Sequence, residues 1–473
     1  MSSNGVKNIL KKSIREILKE EIPFSTLKDV CKAQYKKYEK NNMYITPLME
    51  NLDKQQEIGI PISIKDNFMT KNIKTTAASK MLMDFIAPYN ATIVDRLDKY
   101  NFINFGKCNM DEFAMGSSGV SSYFGPTKSI WSNKKGEVFS PGGSSAGSAV
   151  SVASGAVFAS ICTDTSGSII IPASWCGVVG FKPTYGVLSR NGIIPLAESF
   201  DHPGLITRLV DDCRYIFEKI IGKDPQDLTT IDYQPSYSHK KKFAIIKEIY
   251  EADATINKKI QEVEEVFMQL GYEKKTYSVQ ELEAAIAIYV ILCRAECASN
   301  LQRYDGLRFG FSSYSNNLED QYVNTRSEGF GLEVQRRIMT GGFVTSSENV
   351  VEYLEKAQKI RQIIKEKISE IFQEVDFVLM PAAMGAMTIE ECLNVNLQDP
   401  IKMQKCDQFS VVGNICGFPS LTVPIGEDLS GSPFGVAVMG NAFQDLQIMD
   451  LGEVIERNFP MQEKLINKIT EEK

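Results

Sequence analysis

Apolar positions in the first ~55 residues recur at three- and four-residue spacing within a Lys/Glu-rich background, which predicts two amphipathic helices before Asn51. The pattern then changes. Ile60-Pro-Ile-Ser-Ile-Lys65 is a short apolar run that ends on a charge and reads as a buried strand. From there to residue 205, β-rich runs alternate with helical stretches, as where 92–100 precedes 102–106. The Gly/Ser/Ala-rich stretch 140–167 predicts a small-residue helix over 146–159 leading into a strand-like segment, 158–163. Small side chains at that density predict a helix packed close on a sheet.

Residues 206–235 read as a helix and a Pro/Asp/Tyr-rich connection, 242–247 as a strand and 252–270 as a helix. Long helices follow, 281–301 and 350–374 being the clearest. Alternation returns at the end, with strands at 377–380, 420–424 and 434–439 and a helix over 446–457. No internal repeat or low-complexity tract interrupts this order. The alternation is that of an α/β fold. It predicts one domain over 1–473, comprising an N-terminal helical segment (1–55), a core (56–235), a helical insertion (236–375) and a C-terminal α/β part (376–473).

Composition narrows the class only slightly. Hydrophobic residues at 43% and charged residues at 23% are ordinary for a globular chain. A net charge of −7 offers nucleic acid no general attraction. No apolar run approaches the ~20 residues that span a bilayer, so no membrane insertion is expected. Ten cysteines without C-x-x-C spacing predict buried, reduced thiols. The first fifteen residues carry Lys7, Lys11, Lys12 and Arg15 with no acid, interspersed with Val6, Ile9, Leu10 and Ile14. That suits either the remnant of an organellar presequence or an ordinary amphipathic helix. The mitochondrial matrix is the expected compartment, with a bacterial cytoplasm as the alternative.

Only two histidines exist, His202 and His239, so a three-histidine metal site is excluded and no metal is expected. His239 opens a basic run and His202 sits in Phe-Asp-His-Pro-Gly, which reads as a turn; both are expected to be structural. A hydrolytic serine would therefore need another base. Ser140-Pro-Gly-Gly-Ser144-Ser145-Ala-Gly-Ser148 and Thr163-Asp-Thr-Ser-Gly-Ser168-Ile-Ile-Ile-Pro172 place two glycine-cushioned serine loops on either side of one helix and one strand. Glycines beside a serine let backbone N–H groups face a developing oxyanion. Such a loop can also be a plain turn. It lacks the lysine of a phosphate loop and is not a G-x-S-x-G elbow. Lys65 is a candidate base: a lysine closing a central strand loses its hydration, and its pKa falls.

These residues together resemble the amidase signature family: Lys65 in its strand, Gly142-Gly-Ser144-Ser145, and Asp164-Thr-x-Gly167-Ser168 with Ser144 and Ser168 at the family's 24-residue spacing. The resemblance implies an α/β/α sandwich around a large mixed sheet. It implies that Ser168 attacks the amide, that Ser144, on a cis peptide, relays its proton to Lys65, and that backbone amides of Thr165, Ser166, Gly167 and Ser168 form the oxyanion hole. Lys182-Pro-Thr-Tyr-Gly186, Arg303-Tyr-Asp-Gly-Leu-Arg308 and Ser327-Glu-Gly-Phe-Gly-Leu-Glu-Val-Gln-Arg-Arg337 are similar to the branch that supplies the glutamine-splitting component of tRNA-dependent amidotransferases.

For that branch the resemblance implies Tyr289, Arg337 and Asp407 as the glutamine site. It further implies a B-type partner that uses ATP and magnesium and contacts the charged tRNA, a small third component of C type or fungal F type, and no cofactor in this chain. Each of Arg337 and Asp407 alone would read as a surface ion-pair partner. The chain departs from the family at Ala146, Ser166 and Ile170, where Gly, Gly and Arg are usual; a Cβ at 166 predicts strain if the loop needs positive φ. The rival readings are a stand-alone amidase acting on another small amide and a catalytically weakened scaffold subunit.

Overall fold

The computed structural model describes residues 3–51, 58–399 and 403–471. The predicted boundary at 55/56 lies outside the described residues, as do the chain's first two and last two positions. Eleven strands are described: β1 (Tyr44–Pro47), β2 (Ile60–Lys65), β3 (Phe102–Cys108), β4 (Ala159–Asp164), β5 (Val179–Lys182), β6 (His202–Thr207), β7 (Lys242–Ile246), β8 (Glu273–Tyr277), β9 (Phe377–Pro381), β10 (Ser420–Glu427) and β11 (Pro433–Met439). They form one sheet in the order β1-β3-β2-β4-β6-β5-β10-β11-β9-β7-β8. The sheet is mixed: β2 runs parallel to β3 and β4, β7 runs parallel to β8 and β9, and the middle is antiparallel.

Both faces are covered, and the strands show it residue by residue. Phe243, Ile245, Phe377, Leu379, Val436 and Val438 join one apolar cluster, while the alternate positions Ala244, Ile246, Val378, Met380, Ala437 and Met439 join the other. A period of two with both sets apolar is what a sheet between two helical layers requires. This is the α/β/α sandwich.

Several local expectations change. The N-terminal segment forms three helices, Ser3–Lys11, Ile14–Lys19 and Phe24–Tyr38, because Ser13 and Glu16 make a reciprocal capping box that restarts the chain. Its basic first helix is packed rather than peripheral: Ile9 and Leu10 are buried, as is Ile14 at the start of the second. The small-residue helix stops at Ala146–Ala153, short of 159, because Gly155 takes φ +78 just beyond its end. Its close approach to the sheet side is literal, since a Cβ on Gly147 would lie 2.3 Å from the Met43 carbonyl oxygen.

The expected turn at His202 is instead the start of the central strand β6. Pro203 is tolerated there because β5 pairs with β6 only from Leu205 onward, so one side of Pro203 needs no donor. Strand β8 was not visible in the sequence pattern, because it is an exposed edge carrying Lys274 and Lys275. All ten cysteines are buried, and none forms a disulfide among the described residues. No helix among the described residues is long and apolar enough to cross a membrane.

Candidate active site

The parallel pair β2 and β4 delivers its C-terminal ends to one place, so Lys65 and Thr163-Asp164 emerge side by side. The helix between them, Ala146–Ala153, brings the loop 140–145 to the same edge. Ligand sites at the carboxyl ends of parallel strands follow from this geometry. Lys65 is wholly buried. Burial pushes its ammonium down to about 8, partly opposed by the carboxylates of Asp164, Asp111 and Asp201.

Lys65 Nζ lies 2.8 Å from Ser144 Oγ, 2.9 Å from Ser145 Oγ and 3.0 Å from Thr163 Oγ1. Ser144 Oγ is in turn 2.9 Å from Ser168 Oγ. The Gly143–Ser144 peptide is cis. The Ser145 hydroxyl donates to the Thr163 carbonyl, and Asn67 Nδ2 donates to Thr163 Oγ1. Both hydroxyl oxygens are therefore free to accept from Lys65. A neutral lysine amine has two N–H groups and one lone pair. As an ammonium Lys65 donates to all three hydroxyls; in the neutral form, with its N–H groups on Ser145 and Thr163, its lone pair would face Ser144.

The serine loops are held from behind. A Cβ on Gly143 would sit 2.0 Å from Asp111 Oδ2, so only glycine fits there. Asp164 accepts from Ile169 N at 2.6 Å and from Asn414 Nδ2 at 2.9 Å, fixing the start of the helix Ile170–Cys176. Thr165 Oγ1 donates to Asp201, and Ser410 Oγ donates to the Ser166 carbonyl at 2.7 Å. The backbone N–H groups of Thr165, Ser166, Gly167 and Ser168 meet no acceptor among the described residues. Buried donors left open in this way are suited to an anion that arrives only during reaction.

Ser166 is not among the residues with positive φ, so its Cβ adds no left-handed strain, contrary to the sequence expectation. Ile170 is buried in an apolar cluster with Ile194 and Leu196.

Ser166 and Ser168 face a cavity whose other walls include Tyr289, Arg337, Asp407, Ser117 and Cys293. Arg337 and Asp407 are thus not the surface ion-pair partners that each would be by default; both are buried. Arg337 Nε donates to Glu333 at 2.8 Å, while its two Nη groups find no acceptor among the described residues. Burial pushes the Asp407 carboxyl up to about 7, opposed by the Ser117 hydroxyl at 2.9 Å and by Arg337. The cavity over Ser168 is about 10 Å³, room for roughly one water. It adjoins a wider cavity of about 390 Å³ that shares Gly116, Ser117, Arg337 and Gln404 as lining. Lys65 and Ser144 lie behind Ser168 and do not line either.

Ser145, Thr163, Asn67 and Ser117 were not singled out from the sequence. Only Ser145 and Thr163 had a signal, by standing inside the two serine loops. The histidines stay clear of the lysine and its serines. His202 Nδ1 lies 2.5 Å from the Phe200 carbonyl oxygen, and burial beside Lys182 drives its pKa well below the usual value. His239 stacks on Tyr237. Among the described residues, no cluster of His, Cys, Asp and Glu could hold a metal ion.

Comparison with known proteins adds a lineage to this geometry. Residues 28–449 match the family described as Amidase. The chain is 41% identical over 427 residues to the A component of glutamyl-tRNA(Gln) amidotransferase from Wolbachia pipientis, covering 88% of this chain and 84% of that protein. It is 39% identical over 425 residues to the protein of the same name from Pseudothermotoga lettingae, covering 86% and 89%. The crystal structure of the corresponding glutamyl-tRNA(Gln) amidotransferase component from Thermotoga maritima superimposes with a TM-score of 0.78 at 32% identity, over 95% of each chain.

Proposed function

The chain belongs to the amidase family, and from that premise we propose that it is the glutamine-hydrolysing component of a tRNA-dependent amidotransferase. The observation that carries the reading is the hydrogen-bonded chain Lys65–Ser144–Ser168 ending at a cavity lined by a buried arginine and a buried aspartate. In this reading Arg337 forks its free Nη groups onto the α-carboxylate of glutamine and Asp407 takes the α-ammonium. The charges of that pair favour an amino-acid amide over a simple amide, which would leave them unpaired.

The Ser168 hydroxyl oxygen attacks the side-chain carbonyl while its proton passes to Ser144 Oγ, and the Ser144 proton passes to the neutral Lys65 amine. The oxyanion is met by the open N–H groups of residues 165–168. The C–N bond then breaks as the relay returns a proton to the leaving nitrogen, giving ammonia and a glutamyl ester on Ser168. Water, activated by the same relay, releases glutamate and restores the serine.

Ammonia is the product that matters to the partner. A B-type partner would use ATP and magnesium to activate Glu-tRNA(Gln) and accept the ammonia to give Gln-tRNA(Gln). It would carry most of the tRNA contact, with a small third component of C or F type completing the assembly. The relatives' shared name, which makes each of them one lettered component of an amidotransferase, supports a multi-subunit complex.

The test is conversion of Glu-tRNA(Gln) by the assembled complex with either glutamine or ammonium as donor. Ser168→Ala is expected to abolish the glutamine reaction, by at least about a thousandfold, and to leave the ammonium reaction intact. Wild type that works only with ammonium would overturn the reading.

A further inference from the structure

We propose that Glu112 is a positioning residue for the amino-acid substrate, pinning the start of the helix Leu332–Thr345 so that Arg337 faces the cavity over Ser168. The inference rests on Arg337 being the carboxylate anchor.

Glu112 is a buried carboxyl that the proton relay does not use. One oxygen accepts from Ser79 Oγ at 2.5 Å and the other from the Gly331 backbone N–H at 2.9 Å. Gly331 is the N-cap of the helix that carries Arg337, and it has no side chain with which to cap that helix. It must also stay bare, because a Cβ there would lie 2.3 Å from Glu112 Oε2. Glu333, the acid in the helix's first turn, is already committed to Arg337 Nε. Glu112 therefore supplies the side-chain acceptor that ties the N-cap of the helix to the core, beside the apolar packing of Phe330 and Val334.

The neighbouring residue reaches the other parts of the site. Asp111 N donates to the Ser144 carbonyl at 3.3 Å. Its carboxylate accepts from Gly119 N and Ser121 N, folding the loop whose Ser117 holds Asp407. Two consecutive residues thus tie the serine relay to both charged anchors. The backbone beside them is under strain: Phe113 and Ala114 take φ +50 and +61, and Ala77 and Ala78, opposite, take +47 and +56. Phe113 N donates to Ala77 O across the gap at 2.8 Å, and Ala114 lines the cavity. Non-glycine residues hold such conformations only where surrounding contacts dictate them.

The experiment measures KM and kcat for glutamine in the assembled complex, for Glu112→Ala, Arg337→Ala and the double variant, with Glu112→Gln alongside. Glu112→Ala is expected to raise KM about tenfold with kcat within about twofold, whereas Glu112→Gln, which keeps an acceptor for Gly331, stays within about threefold of wild type. On the Arg337→Ala background, Glu112→Ala should add less than about twofold, because the group it positions is gone. A full repeat of the tenfold loss on that background, or a fall in kcat at unchanged KM, overturns the inference and leaves the substrate reading standing. An Arg337→Ala variant with wild-type KM sinks the substrate reading and this inference together. If Glu112→Ala does not fold, Glu112→Asp replaces it: the charge is kept but the reach is one methylene shorter, and an unchanged KM overturns the proposal.

Discussion

In the proposed relay only the neutral amine of Lys65 can take a proton from Ser144, so the rate of glutamine hydrolysis should follow the titration of this one buried group. With its pKa lowered to about 8, about a tenth of the molecules hold neutral Lys65 at pH 7 and about nine tenths at pH 9, so kcat should rise about tenfold across that interval and then level. A lysine left in water, titrating near its ordinary ~10.4, would still be gaining rate steeply at pH 9. Where the plateau falls therefore reports how far burial has moved the group.

The same shift has a cost in stability, and its sign is fixed. The folded pKa lies below the unfolded value, so between about 8 and 10.5 the unfolded chain binds more protons and stability rises with pH; below about 8 the penalty is fully present. Replacing Lys65 by Met, which needs no ionisation, should abolish hydrolysis. It should also stabilise the fold at pH 7 by on the order of 1–3 kcal/mol, less whatever the lost contacts to Ser145 and Thr163 supplied. The assay is glutamate release at saturating glutamine from pH 6.5 to 9.5 at constant ionic strength, with urea unfolding of both proteins at pH 7. A kcat that declines through pH 8, or Lys65→Met less stable than wild type at pH 7 but not at pH 10, would refute the reasoning.

Asp407 should govern KM rather than kcat. Its carboxyl is raised to about 7 by burial, and only the ionised form holds an ammonium, so KM for glutamine should fall as pH rises from 6 to 8, and the trend should vanish in Asp407→Asn. Gly143→Ala places a methyl 2.0 Å from Asp111 Oδ2 and 2.7 Å from Gly119 N. The loop has no slack, so this variant should lose about 3 kcal/mol of stability in denaturant titration and nearly all hydrolysis; a soluble, active Gly143→Ala protein would contradict the packing described.

The serine loops, the lysine that ends β2 and the α/β class were readable from sequence because each is local. An apolar run ending in a charge, or glycines around a serine, needs no distant partner to be recognised. What failed was everything set by a neighbour. His202-Pro-Gly looks like a turn until β4 and β5 are beside it, and β8 hides its strand character because its edge position calls for charge. Arg337 and Asp407 each look like a surface ion in one dimension, and only the family resemblance singled them out; the fold makes them walls of the cavity over Ser168. Ser145 and Thr163 sat within the motif, yet nothing in their spacing says that they hold the two N–H groups of Lys65. The strain expected at Ser166 was an error of the same kind, since φ there is decided by the contacts of residues 164 and 410.

The order of the strands also sets part of the proposed substrate contact apart from the proposed chemistry. In the proposed mechanism the groups that make and break bonds come from β2, β4 and their connecting loops, whereas two of the three proposed substrate contacts, Tyr289 and Arg337, ride on the helices Ala285–Asn300 and Leu332–Thr345, inserted between β8 and β9, and the third, Asp407, follows β9. Those two strands stand only one place apart at the far edge, with β7 between them. The insert is nonetheless packed into the same buried cluster as Phe113, Ile170 and Val411, so its helices and the reaction centre share one core. Swapping residues 278–376 between relatives would therefore exchange Tyr289 and Arg337 but leave Asp407, Ser117 and Glu112 in place, so a change of amide specificity has to be sought on both sides of the cavity.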